Sequence, residues 1–499
     1  MKDQARVMKN TILLMAMQLG LNFFQIIMSV ILARYLKPQG FGVMAFAMAY
    51  VMMYSILPSF GMTSLATRDL ARDPDLSSRY LTSGLTGIAF LSTFTLILVM
   101  LISLFGFRFP SEKIHVIFWM AILMVLESTF NFAASFFRAQ QKMKMVVILH
   151  FILYSGWLVT LVTVVFFKGG LDQILATRAV VQVLVTILAV GFINKYLQKL
   201  TWKWDPAFTI KMLKRSLPFA LFQIFVMVYV KVDMVMISMM KGDIITGWYA
   251  ASQKFRQMLT FIPQSVLGAT LPAMAKFSKD SHTDLIETFN RNCRYLWIIS
   301  MPVAGFVFIA ADQLVMLFYG DAYLPAVLAL RILIWTIVFA FPNNLFSGSL
   351  SAINLEGKVG QVLAVGAIFN ILTNLVAIPY WAHIGAAVTT VLSEALVFVI
   401  QALLLQKALP QARPLGHFGR LTIATSVMTG CAALLHRFPI FFSAPISGLV
   451  YVGAILILKI IGPEDWKFIS AIFLKKRSKA NPNSPEPENT DIPAVGDEV

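Results

Sequence analysis

The 499-residue chain is 58% hydrophobic and only 13% charged, whereas an ordinary soluble protein is about 25% charged. Its roughly 290 apolar side chains supply about fourteen membrane spans at about 20 residues each, which excludes a water-soluble globule and leaves almost nothing for a soluble catalytic domain. The formal charge of +17 would point to nucleic acid in a soluble protein. In a membrane chain, basic residues gather on cytoplasmic loops instead, so no nucleic-acid partner is expected.

The first apolar stretch, 11–32, is too long for a signal-peptide core and runs into Ala33-Arg34-Tyr35 rather than a cleavage site, so it is expected to remain as the first span. Further apolar windows follow at 41–60, 81–106, 114–136, 145–167, 173–194, 216–240, 244–272, 290–311, 325–350, 360–382, 384–406, 418–436 and 441–461. Hydrocarbon cannot satisfy open backbone, so these must be helices. Pro439 and Pro445 crowd the junction of the last two. The predicted fold is an all-α polytopic membrane protein of about fourteen helices. Prolines at 58, 218, 263, 302 and 342 should kink their spans.

If the amino terminus is cytoplasmic, 29 Lys and Arg fall on the inner side and seven on the outer side, with five inside spans. That bias places both termini in the cytoplasm. Residues 466–499 form a cytoplasmic tail. From about 481 it is acidic and rich in Pro, a composition that predicts disorder.

The segment Gly40-Phe41-Gly42 that opens the second span is echoed by Thr246-Gly247-Trp248-Tyr249 at the eighth, with Gly42 and Gly247 offset by 205 residues. The same offset carries Pro58 onto Pro263. A shared register after six helices implies duplication, with two parallel six-helix lobes about an axis along the membrane normal. The boundaries read 1–200 for the first lobe, 201–410 for the second and 411–465 for two additional helices.

A charge at mid-bilayer costs about 2.5–3.5 kcal/mol, so each should face protein or water. Lys254 and Arg256 lie about 15 and 18 Å from the outer end of the eighth span, and Lys231 and Asp233 about 13 and 10 Å from that of the seventh. Asp233 is expected to pair with Lys254 across these antiparallel neighbours, while Arg256 has no acid nearby in sequence and should line an anion-attracting cavity. Arg178 and Arg331 lie near span ends and could snorkel. Glu127 and Glu394 are the other intramembrane acids. Glu394 is either a proton-exchanging group in a transport cycle or a permanently paired carboxylate. Arg34, before Pro38, either guards the cavity mouth or lies on the surface.

No nucleophile elbow, P-loop, zinc-protease motif or dinucleotide glycine pattern occurs, the six histidines are scattered, and Cys293 and Cys431 stand far apart. The reading is therefore of a carrier, with no catalytic residues, no metal and no cofactor.

Residues 32–42 (Leu-Ala-Arg-Tyr-Leu-Lys-Pro-Gln-Gly-Phe-Gly), Phe60-Gly61-Met62, Arg68-Asp69-Leu70-Ala71-Arg72, Phe137-Arg138-Ala139-Gln140-Gln141-Lys142-Met143, Lys231-Val232-Asp233 and 247–255 (Gly-Trp-Tyr-Ala-Ala-Ser-Gln-Lys-Phe) resemble the O-antigen-type lipid-linked oligosaccharide flippases of the multidrug/oligosaccharidyl-lipid/polysaccharide exporter superfamily. The likeness runs from about residue 5 to 462. Lys231 and Lys254 stand where that family often has arginine, which keeps the charge and loses a bidentate phosphate grip.

The resemblance implies alternating access in a bacterial inner membrane, moving a polyprenyl-diphosphate-linked oligosaccharide between leaflets. Lys254, Arg256 and Lys231 would attract the diphosphate, while Gln223, Tyr249 and Gln253 would contact sugar. The implied partners are the lipid-linked oligosaccharide, the bilayer, a coupling proton or sodium ion, and polysaccharide polymerase machinery. Two alternatives stand beside it: a cation-coupled drug antiporter, which would want acids rather than bases in its cleft, and a membrane glycosyl-polymerase or ligase, which would need a large outer loop. A non-transporting lipid scramblase is a third.

Overall fold

The computed structural model describes residues 2–73, 76–196 and 205–462, and the tail expectations for 466–499 lie outside the described residues. Helix α1 (Lys2–Met52) is two helices that meet at Lys37, where a φ of 58° turns the chain before Pro38. Helix α2 (Met62–Arg72) continues the second pass after a turn over 53–61. Helices α3 (Ser77–Leu101, with a π-helical extension to Gly106), α4 (Ser111–Ala139), α5 (Met143–Phe166) and α6 (Leu171–Tyr196) complete six passes.

The next six are α7 (Pro206–Lys241), α8 (Asp243–Met258) continued by α9 (Phe261–Asp280), α10 (His282–Tyr319), α11 (Ala326–Leu333) continued by α12 (Thr336–Ala352), and the two halves of α13 (Glu356–Ala408), which meet at Ala382 with a φ of 49°. Helices α14 (Phe418–Leu434) and α15 (Ile440–Ile457) are the last two.

The protein is a multi-pass membrane protein with 10 helices long and apolar enough to cross. Dividing α1 and α13 at their turns and adding α7 and the shorter α14 gives fourteen passes among the described residues. An even number of passes leaves both described ends on one side, here termed the terminal face. Pro302 and Pro342 sit inside α10 and α12 without ending them.

The internal repeat is physical. The chain leaves α-helix after Met52 and again after Met258, within one residue of the 205-residue offset, with Pro58 in the first break and Pro263 at the start of α9. The two repeated glycines also meet across the molecule. Gly42 packs against the backbone oxygen of Asp243, and Gly247 against that of Pro38, so closely that a Cβ at either position would overlap backbone. Small residues are what let helices approach to that distance.

Around this contact the far face is tied shut. Lys113 of α4 pairs with Asp243 at 2.7 Å and donates to Ser238 Oγ at 2.9 Å. Tyr323 donates to the Ala33 carbonyl at 2.9 Å. An apolar cluster including Phe41, Ala251, Phe255 and Tyr323 fills the space between.

At the terminal face the start of α7 is bound to the first half. Asp205 caps α7 by accepting from Phe208 N at 2.9 Å and pairs with Arg79 at 2.5 Å. Asp69 of α2 accepts from Tyr80 Oη at 2.6 Å and pairs with Arg215 at 2.7 Å and Arg68 at 3.2 Å. Burial opposes the Asp69 charge, but the Tyr80 hydrogen bond and the two guanidinium groups outweigh it and hold the carboxyl below its ordinary value. Met212 of α7 joins the core of the first half beside Phe132 and Phe136. A second core gathers Trp297, Phe341 and Phe346 with Met428 of α14 and Tyr451 of α15.

Two outcomes follow from these contacts. Gly247→Ala is expected to destabilise the protein in detergent by about 1–3 kcal/mol, as overpacking does, whereas Gly20→Ala, inside α1 with nothing within 4 Å, leaves the melting temperature unchanged or raises it, because alanine favours helix over glycine. Asp69→Asn is expected to cost about 1 kcal/mol at neutral pH. Because the folded carboxyl is acidified, its contribution is complete above 3.8 and disappears as pH falls below that value, so the melting curves of wild type and variant converge in acid.

Candidate functional site

Helices α7 and α8 are antiparallel neighbours, and their facing sides carry the polar residues of mid-membrane. Asp233 is buried. Its carboxylate accepts from Tyr249 Oη at 2.5 Å and Gln253 Nε2 at 2.9 Å, and from the amide of Met234 at 2.7 Å. Tyr249 and Gln253 are one turn apart, and Arg256 follows three residues later, so all three share one face of α8. Arg256 donates from Nε and Nη2 to Gln253 Oε1 at 3.1 and 2.9 Å. The Gln253 amide thus stands between the carboxylate and the guanidinium, with one end bonded to each.

The Asp233–Lys254 pair expected from sequence is not formed. Successive residues on a helix point about 100° apart, so with Gln253 turned to Asp233, Lys254 is turned away. Its electrostatic neighbours are Lys231 and Arg178, both basic. Among the described residues Lys254 makes no hydrogen bond or ion pair. Lys231 in turn lies within electrostatic range of Asp233 and Arg256.

Arg178 does not snorkel to the membrane surface. Its guanidinium lies over the Trp157 ring, 4.2 Å from the centroid, and reaches towards Tyr154, Lys254 and the interior. Tyr154 accepts from Gln25 Nε2 at 3.3 Å and has Glu127 in electrostatic range, and Glu127 is exposed. The first half therefore contributes a cation, an acid and an aromatic wall opposite the two lysines of the second half.

The acid that Arg256 lacks in sequence comes from α13. Glu394 lies within its electrostatic range, accepts from Asn343 Nδ2 at 3.0 Å and has Tyr229 beside it. Asn343 donates to the Glu394 backbone oxygen as well, at 3.1 Å. Arg256 is thus shared between Gln253 and two acids rather than facing an empty cavity.

Tyr249, Gln253, Arg34 and Arg331 all have partners within the protein. Tyr249 and Gln253, expected at the sugar, are buried with their polar atoms committed to Asp233 and Arg256. Arg34 is exposed, but its guanidinium donates to the carbonyls of Phe318 and Leu317 at 2.8 and 2.6 Å, bracing the last turn of α10. Arg331 approaches Asp312 to 3.6 Å, and His436 bonds the same carboxylate at 3.0 Å. The side chain of Gln223 lies outside the described residues.

Arg178 is the residue that sequence reasoning undervalued. It stands about 10 Å along α6, and Trp157 about 14 Å from the end of α5 at the same face. Similar depths, within about one helical turn, on consecutive antiparallel helices are the available signal. The Asn343 contact had no such signal, since it depends on the packing of α12 against α13.

Comparison with known proteins places the chain. The model of the family described as "Polysaccharide biosynthesis protein" matches residues 7–278. The probable flippase AglR of Haloferax volcanii is 22% identical over 234 residues, 46% of this chain and 48% of that protein. The probable low-salt glycan biosynthesis flippase Agl15 of the same organism is 20% identical over 185 residues, 37% and 39% of the two chains. The chain thus matches less than half the length of these relatives. Among solved structures, the lipid II flippase MurJ in an inward closed conformation superposes with a TM-score of 0.75 at 14% identity, covering 93% of this chain and 98% of that one, a likeness of fold. With more than half of its length matched by the family model, the chain belongs to the polysaccharide biosynthesis protein family.

Proposed function

We propose that this protein is a flippase that carries a polyprenyl-diphosphate-linked oligosaccharide across the membrane by alternating access. The observation that carries the reading is that Lys254 has two basic electrostatic neighbours, Lys231 of its own half and Arg178 of the other. The three side chains are half-buried; like charges repel, and each costs about 2.5–3.5 kcal/mol where hydrocarbon surrounds it. A diphosphate supplies the missing negative charge and the charge-assisted hydrogen bonds, while the polyprenyl tail stays in lipid. The description of Agl15 as a probable low-salt glycan biosynthesis flippase supports a glycan-linked substrate, and that of AglR as a probable flippase supports the transport reading.

In this reading Tyr249 and Gln253 hold Asp233 and Arg256 in place, and sugar meets the side opposite, where Gln25, Glu127 and Tyr154 lie. The moving bodies are the lobes 1–200 and 201–410, with 411–465 riding on the second. Opening the far face breaks the Lys113–Asp243 pair and parts Gly42 from Gly247. The Lys and Arg bias supports a cytoplasmic terminal face, so the substrate enters there and leaves at the far face. Glu394 is the proton-exchanging group, and the exported lipid-linked glycan is delivered to polymerase machinery. A cation-selective antiporter would need the acids unaccompanied, whereas Asp233 and Glu394 both have Arg256 in range.

Lys254→Gln and Arg178→Gln are each expected to insert normally and to weaken handling of the lipid-linked oligosaccharide about tenfold or more, so that it accumulates in the inner leaflet of cells. Normal surface glycan in both variants overturns the proposal. Glu394→Gln is expected to flatten the pH dependence of transport measured in proteoliposomes, and an unchanged profile removes Glu394 from the cycle.

A further inference from the structure

A cavity of about 840 Å³ opens between the first half of α10 and the 409–417 connection from α13 to α14, away from the mid-membrane site. Glu287, Arg291 and Arg294 line one wall at intervals of four and three, which puts them on one face of α10. Arg413 and His417 line the other. The walls are fixed to each other: the Pro414 carbonyl accepts from Trp297 Nε1 at 3.0 Å and Cys293 Sγ at 3.3 Å, and Arg413 N donates to Asn290 Oδ1 at 2.7 Å. Among the described residues, three guanidinium groups, an imidazole and one carboxylate thus line this space. The Arg413 side chain is exposed and makes no ion pair among the described residues.

Depth identifies the ligand. Arg294 and Arg291 lie about 38 and 42 Å along α10 from its far-face end, beyond the roughly 30 Å of hydrocarbon and within the headgroup layer. Exposed apolar side chains lie nearby in the chain: Leu415, within the 409–417 connection, is 55% exposed, and Ile423 and Val427, one turn apart on α14, are 56% and 52% exposed.

We propose that this cavity holds the phosphate of an anionic phospholipid headgroup, with the acyl chains lying along α14. The arginines supply charge-assisted hydrogen bonds to the phosphate oxygens, and the rigid 409–417 connection keeps them converged. A bound lipid ties the α13–α14 connection to α10 and anchors this half of the protein to the terminal-face leaflet.

The test uses the full chain in phosphatidylcholine nanodiscs, titrated with phosphatidylglycerol and read by retained lipid in native mass spectrometry and by melting temperature. Wild type is expected to retain phosphatidylglycerol, and Arg413→Gln and Arg291→Gln/Arg413→Gln to bind it about tenfold more weakly for each charge removed. Arg437→Gln, which removes the same charge at the far face, is expected to behave as wild type. Equal retention by wild type and both cavity variants overturns the proposal. If inorganic phosphate raises the melting temperature as much as the lipid does, through the same arginines, the headgroup assignment is overturned in favour of a soluble phosphate.

Discussion

Half-buried cationic side chains from two halves of the molecule share a region at membrane depth, and that constraint governs the architecture around them. Lys254 has Lys231 and Arg178 as its electrostatic neighbours. Such a cluster persists in a bilayer only if water or an anion can reach it. Two acids of the same region are held by hydrogen bonds within the second half: Asp233 by Tyr249 and Gln253, and Glu394 by Asn343. Lys231 stays within electrostatic range of Asp233, and Glu127 of the first half is exposed.

The two halves also meet at the far face. Gly42 and Gly247 let backbone meet backbone, and the Lys113–Asp243 pair, with side chains only 14% and 19% exposed, locks the same seam. Because the glycines are related by the internal repeat, the seam lies near the pseudo-symmetry axis. At the opposite side of the membrane the start of α7 is bound to the first half through Arg79–Asp205 and Arg215–Asp69.

Much of this was legible in sequence because the bilayer imposes simple rules. Span lengths, the repeat and the presence of Lys231, Asp233, Lys254, Arg256 and Glu394 within spans follow from hydropathy and spacing alone. The partners of those charges did not follow. Asp233 pairs with Gln253 rather than Lys254 because adjacent residues on α8 face different neighbours. Arg34 reaches the carbonyls at the end of α10, more than 280 positions away in the chain, and no local pattern encodes such a contact. Distance to a helix end does not place Arg178, because its guanidinium is held by Trp157 of the neighbouring helix.

By itself the amino-acid sequence determined an all-helical, fourteen-pass, duplicated membrane protein, since hydrocarbon forbids unpaired backbone and penalises charge so strongly that composition and periodicity leave few choices. Only the tertiary structure decided which charges are neutralised and which stay open. That outcome depends on the rotation of each helix about its own axis, and a rotation of about 100° exchanges one residue for the next. Helix rotation is settled by packing between distant segments, as when the two glycines meet, and no single segment contains the information.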